Sequence, residues 1–200
     1  NSNGIMKDII EGIQYIKSKS EICRSIILIA VFSLAGMPFI TLLPVFAGEI
    51  FRKGPEGFGF LVGATGAGAL TAALLLAFRG DIKDKSRFIS FSALCFSFLL
   101  FVFSFSTNFY LSVVILVFIG WALVSFFATM NSFIQLSVPD NLRGRAMSVY
   151  TFVFLGTAPI GNSLMGTLAD SIGTVRAVTI ASVICLIAAI SFSVKISRDK

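Results

Sequence analysis

The feature that most constrains the fold is a series of long segments without any charged residue. The longest lies between Arg87 and Asp140 and contains 52 residues. The other four contain 18 to 24 residues and lie between Arg24 and Glu49, Glu56 and Arg79, Arg145 and Asp170, and Arg176 and Lys195. An α-helix needs about 20 apolar residues to cross a bilayer, so each of these four segments predicts one membrane span.

The 52-residue segment is long enough for two spans. Ser, Thr and Asn cluster in "SFSTNFY" (104–110), as they do in turns. Alternation of polar and apolar residues, which a membrane β-barrel would need, is absent. The sequence therefore predicts an all-α membrane protein with six transmembrane helices, at 25–48, 57–78, 88–105, 109–136, 147–169 and 175–194.

Composition agrees with a lipid environment. Only 13% of the residues are charged and the mean hydropathy is +0.92, whereas soluble domains average about 25% charged residues. A chain with so few charges does not cover its surface in water. We therefore expect the lipid bilayer to surround most of it.

The basic residues predict an orientation. With six spans, 13 of the 16 Lys and Arg residues fall on the side that holds both chain ends, and 3 fall on the other. The positive-inside rule places the richer side in the cytoplasm, so a multi-pass protein of the cell (inner) membrane is predicted. "LRGR", with Arg143, Gly144 and Arg145, is then a cytoplasmic turn between spans four and five. Because the basic residues are spread over four segments, nucleic acid is not a predicted partner.

Three regions are predicted along the chain. Residues 1–20 form a cytoplasmic amphipathic linker helix, with Ile5, Ile9, Ile13 and Ile16 on one face. Residues 21–195 form the six-span bundle, and residues 196–200 a cytoplasmic tail. A plain linker is the simpler interpretation of the first region, and a regulatory or partner-binding helix is the alternative.

Residues that carry catalysis or bind metals are scarce. The chain has no His, and Cys23, Cys95 and Cys185 are isolated in or beside apolar segments. No Asp or Glu lies deep in a predicted span. The sequence therefore predicts neither an enzyme nor a metal or cofactor site.

Small residues and prolines mark three of the spans. Span two carries Gly63, Gly66 and Gly68, which favour close helix packing. Spans one and five are predicted to be the most interrupted, which is typical of transporters, although glycine and proline are common in all membrane helices. The candidate kink and gating residues are Pro38, Pro44, Gly156, Pro159 and Gly161.

Span four carries most of the polar side chains. Ser125, Thr129 and Ser132 share one helical face, and Asn131 and Gln135 form a pair one turn apart. Unmet hydrogen bonds in lipid cost several kcal/mol, so these groups should face protein or a water-filled cavity. Contacts between helices and the lining of a substrate cavity remain equal alternatives. The Phe-rich span three is predicted to face lipid.

Four pieces occur in order: "EGIQYIKS", "GFGFLVGATGAGAL", "VPDNLRGRAMSVY" and "GTAPIGNSLMGTLADSIG". Together they resemble the C-terminal half, spans seven to twelve, of a major facilitator superfamily transporter, in the branch of enterobactin exporters and macrolide efflux proteins. The resemblance implies a 3+3 inverted repeat with spans one and four lining a central cavity, and an N-terminal six-span half as partner. It adds Asn162 to the cavity candidates.

The family's charged loop motif has a faint counterpart in "RGDIKDKSR" (79–87), which keeps Asp81 but not the spacing. For Arg143 and Arg145 two roles stay open: orienting the protein, or pairing with helix C-termini or acids in a closed state.

The resemblance implies a secondary transporter, with no cofactor, that exports a small lipophilic or amphipathic substrate by alternating access, as a proton antiporter by analogy. A lysophospholipid or metabolite carrier is the alternative within the superfamily. A self-contained six-span protein with a structural or sensing role is the alternative from another class. Because no acid or His lies inside a span, a proton-coupling acid is expected in the N-terminal half.

Overall fold

The computed structural model describes residues 12, 14–80 and 82–198. Six helices within these residues are long and apolar enough to cross a membrane, which confirms the predicted six-helix fold class. They are α1 Ser20–Ile50, α2 Gly54–Arg79, α3 Lys85–Phe105, α4 Phe109–Ser137, α5 Asp140–Ile172 and α6 Thr174–Arg198.

The connections between the helices are short. The turn predicted near 104–110 is present at residues 106–108, between α3 and α4. Asn108 caps α4 by accepting a hydrogen bond from the backbone N–H of Leu111 at 3.1 Å, and Asp84 caps α3 in the same way through Arg87. These caps fix where each helix begins.

The prediction that "LRGR" forms a turn between spans four and five is wrong, because Arg143, Gly144 and Arg145 lie in the first turns of α5. Pro139 forms the N-cap with φ −56° and ψ 149°, and the acidic Asp140 follows in the first turn. Proline pre-sets the backbone and the acid suits the helix dipole, so the helix begins before the apolar segment does. The charged residues therefore indicate where the apolar segment begins, but the helix itself begins earlier.

The α-helical hydrogen bonding of α1 is interrupted, as its prolines predicted. The irregular turns lie next to the prolines and do not contain them. Two π-helical turns, Phe32–Gly36 and Phe46–Ile50, flank the α-helical segment Phe39–Val45. Pro38 has no N–H for the carbonyl of Leu34 four residues earlier. The helix instead closes a wider turn, in which the Met37 N–H donates to the Phe32 carbonyl at 2.8 Å.

The predicted interruption of span five is absent. Residues 140–172 form one continuous α-helix that runs through Pro159. Gly156 has no close neighbour among the described residues except the ring of Phe152 on its own helix. Membrane helices tolerate proline because neighbouring groups satisfy the freed carbonyl.

The packing of the helices follows the predicted 3+3 repeat. Helix α2 packs along α4, and the equivalent helix of the second repeat, α5, packs against α1. Helix α3 packs against α4 and α6, and α6 also packs against α1. Exchanging α1–α3 for α4–α6 leaves this pattern unchanged, as an inverted repeat requires.

The core between these helices is rich in aromatic side chains. Phe32, Phe96 and Phe126 are fully buried and their rings lie together, with centroids 5.4 Å apart for Phe32–Phe96 and 4.4 Å for Phe32–Phe126. The lipid-facing prediction for span three is therefore only half right. Phe96 and Phe103 are in the core, while Phe91, Phe98 and Phe105 on the same helix are exposed.

Part of the predicted linker helix is described. Residues 14–18 are helical, with Ile16 in the core cluster and Gln14 and Lys17 exposed. This agrees with an amphipathic helix, and Gly12 lies directly against the backbone of Arg145 in α5. Residues 1–11 and 13, which carry Ile5, Ile9 and Ile13, lie outside the described residues, and the domain boundaries remain predictions.

Candidate functional site

The polar side chains of α4 fall into two groups that face different neighbours. Asn131 and Gln135 meet α5, whereas Ser125 is buried in the bundle and Thr129 and Ser132 border the ends of α2 and α3. The structure therefore does not bring the predicted cavity residues together in one site.

The first group forms a hydrogen-bonded cluster. The Gln135 side-chain N–H donates to the Asn131 side-chain oxygen at 2.5 Å. The Asn131 side chain also interacts with the phenol of Tyr150, a buried residue of α5. Asn131 and Gln135 themselves are partly exposed. We call Asn131, Gln135 and Tyr150 the amide cluster.

Aromatic rings continue from the amide cluster into the bundle. Tyr150 stacks on Phe154 with centroids 6.1 Å apart, and Phe154 lies 4.6 Å from Phe127. Phe127 contacts Phe126, whose ring stacks on Phe32 of α1. The amide cluster is thereby connected to the first π-helical turn of α1.

Arg143 lies at the end of the amide cluster. Its Nε donates to the backbone carbonyl of Gln135 at 3.0 Å, and its guanidinium pairs with the carboxylate of Asp140 at 2.5 Å. It also lines an open cavity of about 750 Å³, bounded by the start of α1 and the α4–α5 turn. A helix C-terminus and an acid are the partners that a gating role requires, and that role remains a prediction. Arg145 contributes its backbone to the contact with Gly12.

The second group surrounds a smaller cavity of about 200 Å³ between the ends of α2, α3 and α4. Thr129 and Ser132 line it together with Lys85. Ser125 and Thr129 are 1% and 3% exposed, and within the described part of the chain their hydroxyls have no hydrogen-bond partner.

The remaining candidates lie elsewhere. Asn162 is exposed on α5, 12 residues or about 18 Å of helix beyond Tyr150. Its neighbour Gly161 is buried against the Leu34 carbonyl of α1. Pro38 is buried and Pro44 exposed on α1, and Asp81 lies outside the described residues.

Sequence reasoning missed two contacts with α5. Tyr150 was overlooked because a single tyrosine at the start of a span carries no spacing signal. Ser33 donates a hydrogen bond to the Phe154 carbonyl at 2.6 Å, and a lone serine in an apolar segment looks like any other. The single Gly120 within the bulky "FIGW" of α4 was a usable signal, because glycine there predicts a close helix contact.

Two of the helices, α2 and α5, are much less buried than the others. Of the most apolar 18-residue windows, 22% of the one in α2 and 17% of the one in α5 is buried, compared with 50% or more in α1, α3 and α4. The exposed side chains are largely apolar, among them Phe60, Leu70, Leu155 and Ile160. Apolar faces of this size require lipid or another protein surface.

Six apolar helices packed in an inverted repeat, with a polar cluster on the fourth, define a multi-pass membrane protein. A family model described as "Transmembrane secretion effector", within the major facilitator superfamily, matches residues 1–199. The chain belongs to this family.

The chain is also similar to the uncharacterized MFS-type transporter YfmI of Bacillus subtilis (strain 168), with 24% identity over 192 residues. This alignment covers 94% of the chain and 47% of YfmI. The chain thus spans about half the length of this relative. The resemblance to the major facilitator superfamily is confirmed, and the more specific efflux branch remains a proposal.

Proposed function

We propose that the chain is one six-helix half of a secondary transporter that exports small lipophilic or amphipathic compounds by alternating access. The observation that carries this proposal is the amide cluster at the contact of α4 and α5, whose three members are all neutral. The family membership supports transport in general, and the chemistry of the cluster supports the substrate class.

The amide cluster is suited to an uncharged or weakly polar substrate. Amide and phenol groups donate and accept hydrogen bonds without adding a fixed charge. The rings of Phe154 and Phe127 next to it offer apolar contact. Sites of this kind, mostly apolar with a few placed polar groups, are typical of small-molecule binding.

The exposed faces of α2 and α5 support a second six-helix half as partner. Gly63 and Gly66 on α2 meet nothing within 4 Å among the described residues, although small residues favour close helix contacts in lipid. The length of YfmI, about twice that of this chain, leaves room for such a half.

The distribution of basic residues supports a cytoplasmic location for both chain ends. We expect consecutive spans to cross the membrane in opposite directions, so that the 13 basic residues counted in the sequence would share one face. For a bacterial cell, the location that we propose is the inner membrane. If transport is coupled to protons, the coupling acid should belong to the second half, because the spans of this chain carry no interior Asp, Glu or His.

The test of the substrate site is replacement of Asn131 or Gln135 with leucine, with Tyr150→Phe to remove only the phenol hydroxyl. We expect the efflux of fluorescent amphipathic dyes from cells to fall severalfold while the amount of protein in the membrane is unchanged. Asn141→Leu, an exposed amide outside the cluster, is the matched control. Loss of the membrane-inserted protein together with efflux would show a purely structural contact, and normal efflux in all three variants would contradict the proposed site.

The test of orientation uses single cysteines in a Cys-free variant. Cysteines in place of Lys83 and Arg143 should react with an impermeant reagent only from the cytoplasmic side, and one in place of Lys53 only from outside. Labelling of the Lys53 and Arg143 positions from the same side would overturn the six-span topology.

A further inference from the structure

The turn between α1 and α2 contains a strained backbone position. Among the described residues, Arg52 is the only non-glycine residue with a positive φ, which is 53°. In this left-handed region the Cβ of an L-residue lies too close to the following carbonyl oxygen. Strain of this kind persists only where the surrounding structure holds the residue in place.

Two other helix ends show which residue this conformation favours. Helices α2 and α5 also end at a residue with positive φ, and both of these residues are glycines, Gly80 at 66° and Gly173 at 92°. Glycine adopts the left-handed conformation readily and is therefore the usual residue after a helix end. At the equivalent place α1 has Arg52, whose side chain is exposed. The contacts that hold its backbone belong to its two neighbours.

The residues on both sides of Arg52 contact the same ring, that of Phe109 at the start of α4. Phe51 is buried, and its ring meets the Phe109 ring edge-on with centroids 5.8 Å apart. The Lys53 ammonium lies 5.9 Å from the centroid of the Phe109 ring, within the range of a cation–π interaction. Phe109 therefore holds the turn both before and after the strained residue.

Backbone hydrogen bonds fix Lys53 further. Its N–H donates to the carbonyl of Ala47, in the second π-helical turn of α1, at 2.8 Å, and its carbonyl accepts from the Gly57 N–H of α2 at 3.2 Å. Gly57 leaves room for this contact, since a Cβ there would lie 2.3 Å from the Lys53 Cβ. Lys53 therefore connects the end of α1 to the start of α2, and Arg52 adopts the left-handed conformation within this connection.

We propose that the α1–α2 turn is a strained catch, in which the contacts with Phe109 keep Arg52 in its unfavourable conformation. When the turn leaves Phe109, relaxation of Arg52 to a negative φ offsets part of the lost ring contacts. The end of α1 then has two distinct positions, one against α4 and one released, as bistable packed elements do. The π-helical turn Phe46–Ile50 allows the movement by a local shift of hydrogen bonds. The catch is separate from the proposed substrate site, and neither proposal depends on the other.

The catch is tested by the variant Ala47→Cys, at a position that is 1% exposed next to the turn. In a protein without other cysteines, reconstituted in lipid nanodiscs, a water-soluble maleimide should react there only when the turn is released. Nanodiscs leave both faces of the membrane open to the reagent, so the test does not depend on orientation. Ala93→Cys, buried in α3, reports unfolding of the whole bundle and should react at the same slow rate in every variant.

The ring has a variant and a matched control. Phe109→Leu should raise the labelling rate at position 47 about tenfold, because it removes an aromatic pair and a cation–π interaction together. Phe105→Leu makes the same substitution at an exposed ring that packs on Phe101 of its own helix, and it should leave the rate unchanged. Lys53→Met removes only the charge and should raise the rate about twofold, which keeps the catch testable if Phe109→Leu folds poorly.

The strain has its own pair of variants. Arg52→Gly removes the Cβ, stabilises the closed turn and should lower the labelling rate at position 47 about fivefold. Arg52→Ala removes the same charge but keeps the Cβ, so it should react at the rate of the protein with arginine at this position.

Faster labelling in Phe109→Leu together with slower labelling in Arg52→Gly supports the catch. Three results would overturn it. They are equal rates in Arg52→Gly and Arg52→Ala, which would mean that the backbone is not strained, equal rates in Phe109→Leu and Phe105→Leu, and a rise at Ala93→Cys as large as that at Ala47→Cys, which would indicate unfolding of the whole bundle.

Discussion

The α2–α4 and α1–α5 crossings occupy equivalent places in the inverted repeat but are built differently. At the α2–α4 crossing two unbroken helices meet through glycines on both sides. A Cβ on Gly68 would lie 1.8 Å from the Val117 carbonyl oxygen, and one on Gly120 would lie 2.0 Å from that of Thr65. The backbone of each helix therefore occupies the space that a side chain on the facing glycine would need.

At the α1–α5 crossing only one glycine is used and one helix is irregular. A Cβ on Gly161 would lie 2.5 Å from the Leu34 carbonyl oxygen, within the π-helical turn Phe32–Gly36. The adjacent Ser33 hydroxyl donates across the interface to the Phe154 carbonyl at 2.6 Å. This contact depends on a polar bond and a wide turn as well as on close packing.

The difference indicates which crossing can rearrange. Two interlocked regular helices have one close-packed arrangement, and separating them loses contacts along the whole crossing. A π-helical turn can change to an α-helical one by a local shift of hydrogen bonds, and such turns are frequent at functional sites. We expect α2 and α4 to move as one unit and α5 to shift against α1 during transport.

The largest effect is expected for Gly68→Ala. The new methyl group overlaps the Val117 carbonyl, and two regular helices have no local way to yield, so we expect a loss of about 3 kcal/mol, at the upper end for overpacked sites. The measurement is the unfolding midpoint in sodium dodecyl sulfate.

Gly144→Ala is the control for that variant. It places the same methyl group on an exposed helical position of α5 where no described atom lies within 4 Å, and it should leave the midpoint unchanged or slightly raised, because alanine favours a helix over glycine. Equal stability of the two variants would show that the α2–α4 interlock does not limit stability.

A smaller loss of stability, about 1–2 kcal/mol, is expected for Gly161→Ala, because the π-helical turn of α1 can give way. The effect on dye efflux should be larger than the effect on stability, since the movable crossing is blocked. A variant with normal efflux and a stability as low as that of Gly68→Ala would remove the distinction between the crossings.

The number and order of the helices could be predicted because long uncharged segments have few solutions in a membrane. The helix ends could not, since α5 continues into the charged "DNLRGRAMS" that the hydrophobic pattern assigns to a turn. The sequence also placed the interruption of α1 near its prolines, but the same reasoning failed for α5. A proline in the sequence shows which carbonyl lacks its N–H donor. Whether the helix then forms a π-helical turn or stays α-helical depends on the packing of the neighbouring helix.

The candidate site was harder to predict than the fold. The polar residues of α4 were found because they stand out in an apolar segment, but their separation into an α5-facing and an α3-facing group depends on the rotation of α4. Tyr150 was missed because its partner Asn131 lies 19 residues earlier on another helix. Contacts between helices depend on their rotation and tilt, which the pattern of one span does not determine.

The smallest effect is expected for Ser33→Ala, which removes the hydrogen bond to the Phe154 carbonyl and leaves the close contact of Gly161 in place. Hydrogen bonds between membrane helices contribute about 0.6 kcal/mol on average, so the unfolding midpoint should fall only slightly. Ser148→Ala, which removes a hydroxyl bonded within α5 to the Gly144 carbonyl, is the matched control and should have no effect on the midpoint. The informative readout is the protection of backbone amides near Phe154 from hydrogen exchange, because the α1–α5 crossing should open more often once the bond is lost. Unchanged protection in Ser33→Ala would mean that glycine packing alone holds this crossing, as it does between α2 and α4, and that the two crossings are mechanically alike.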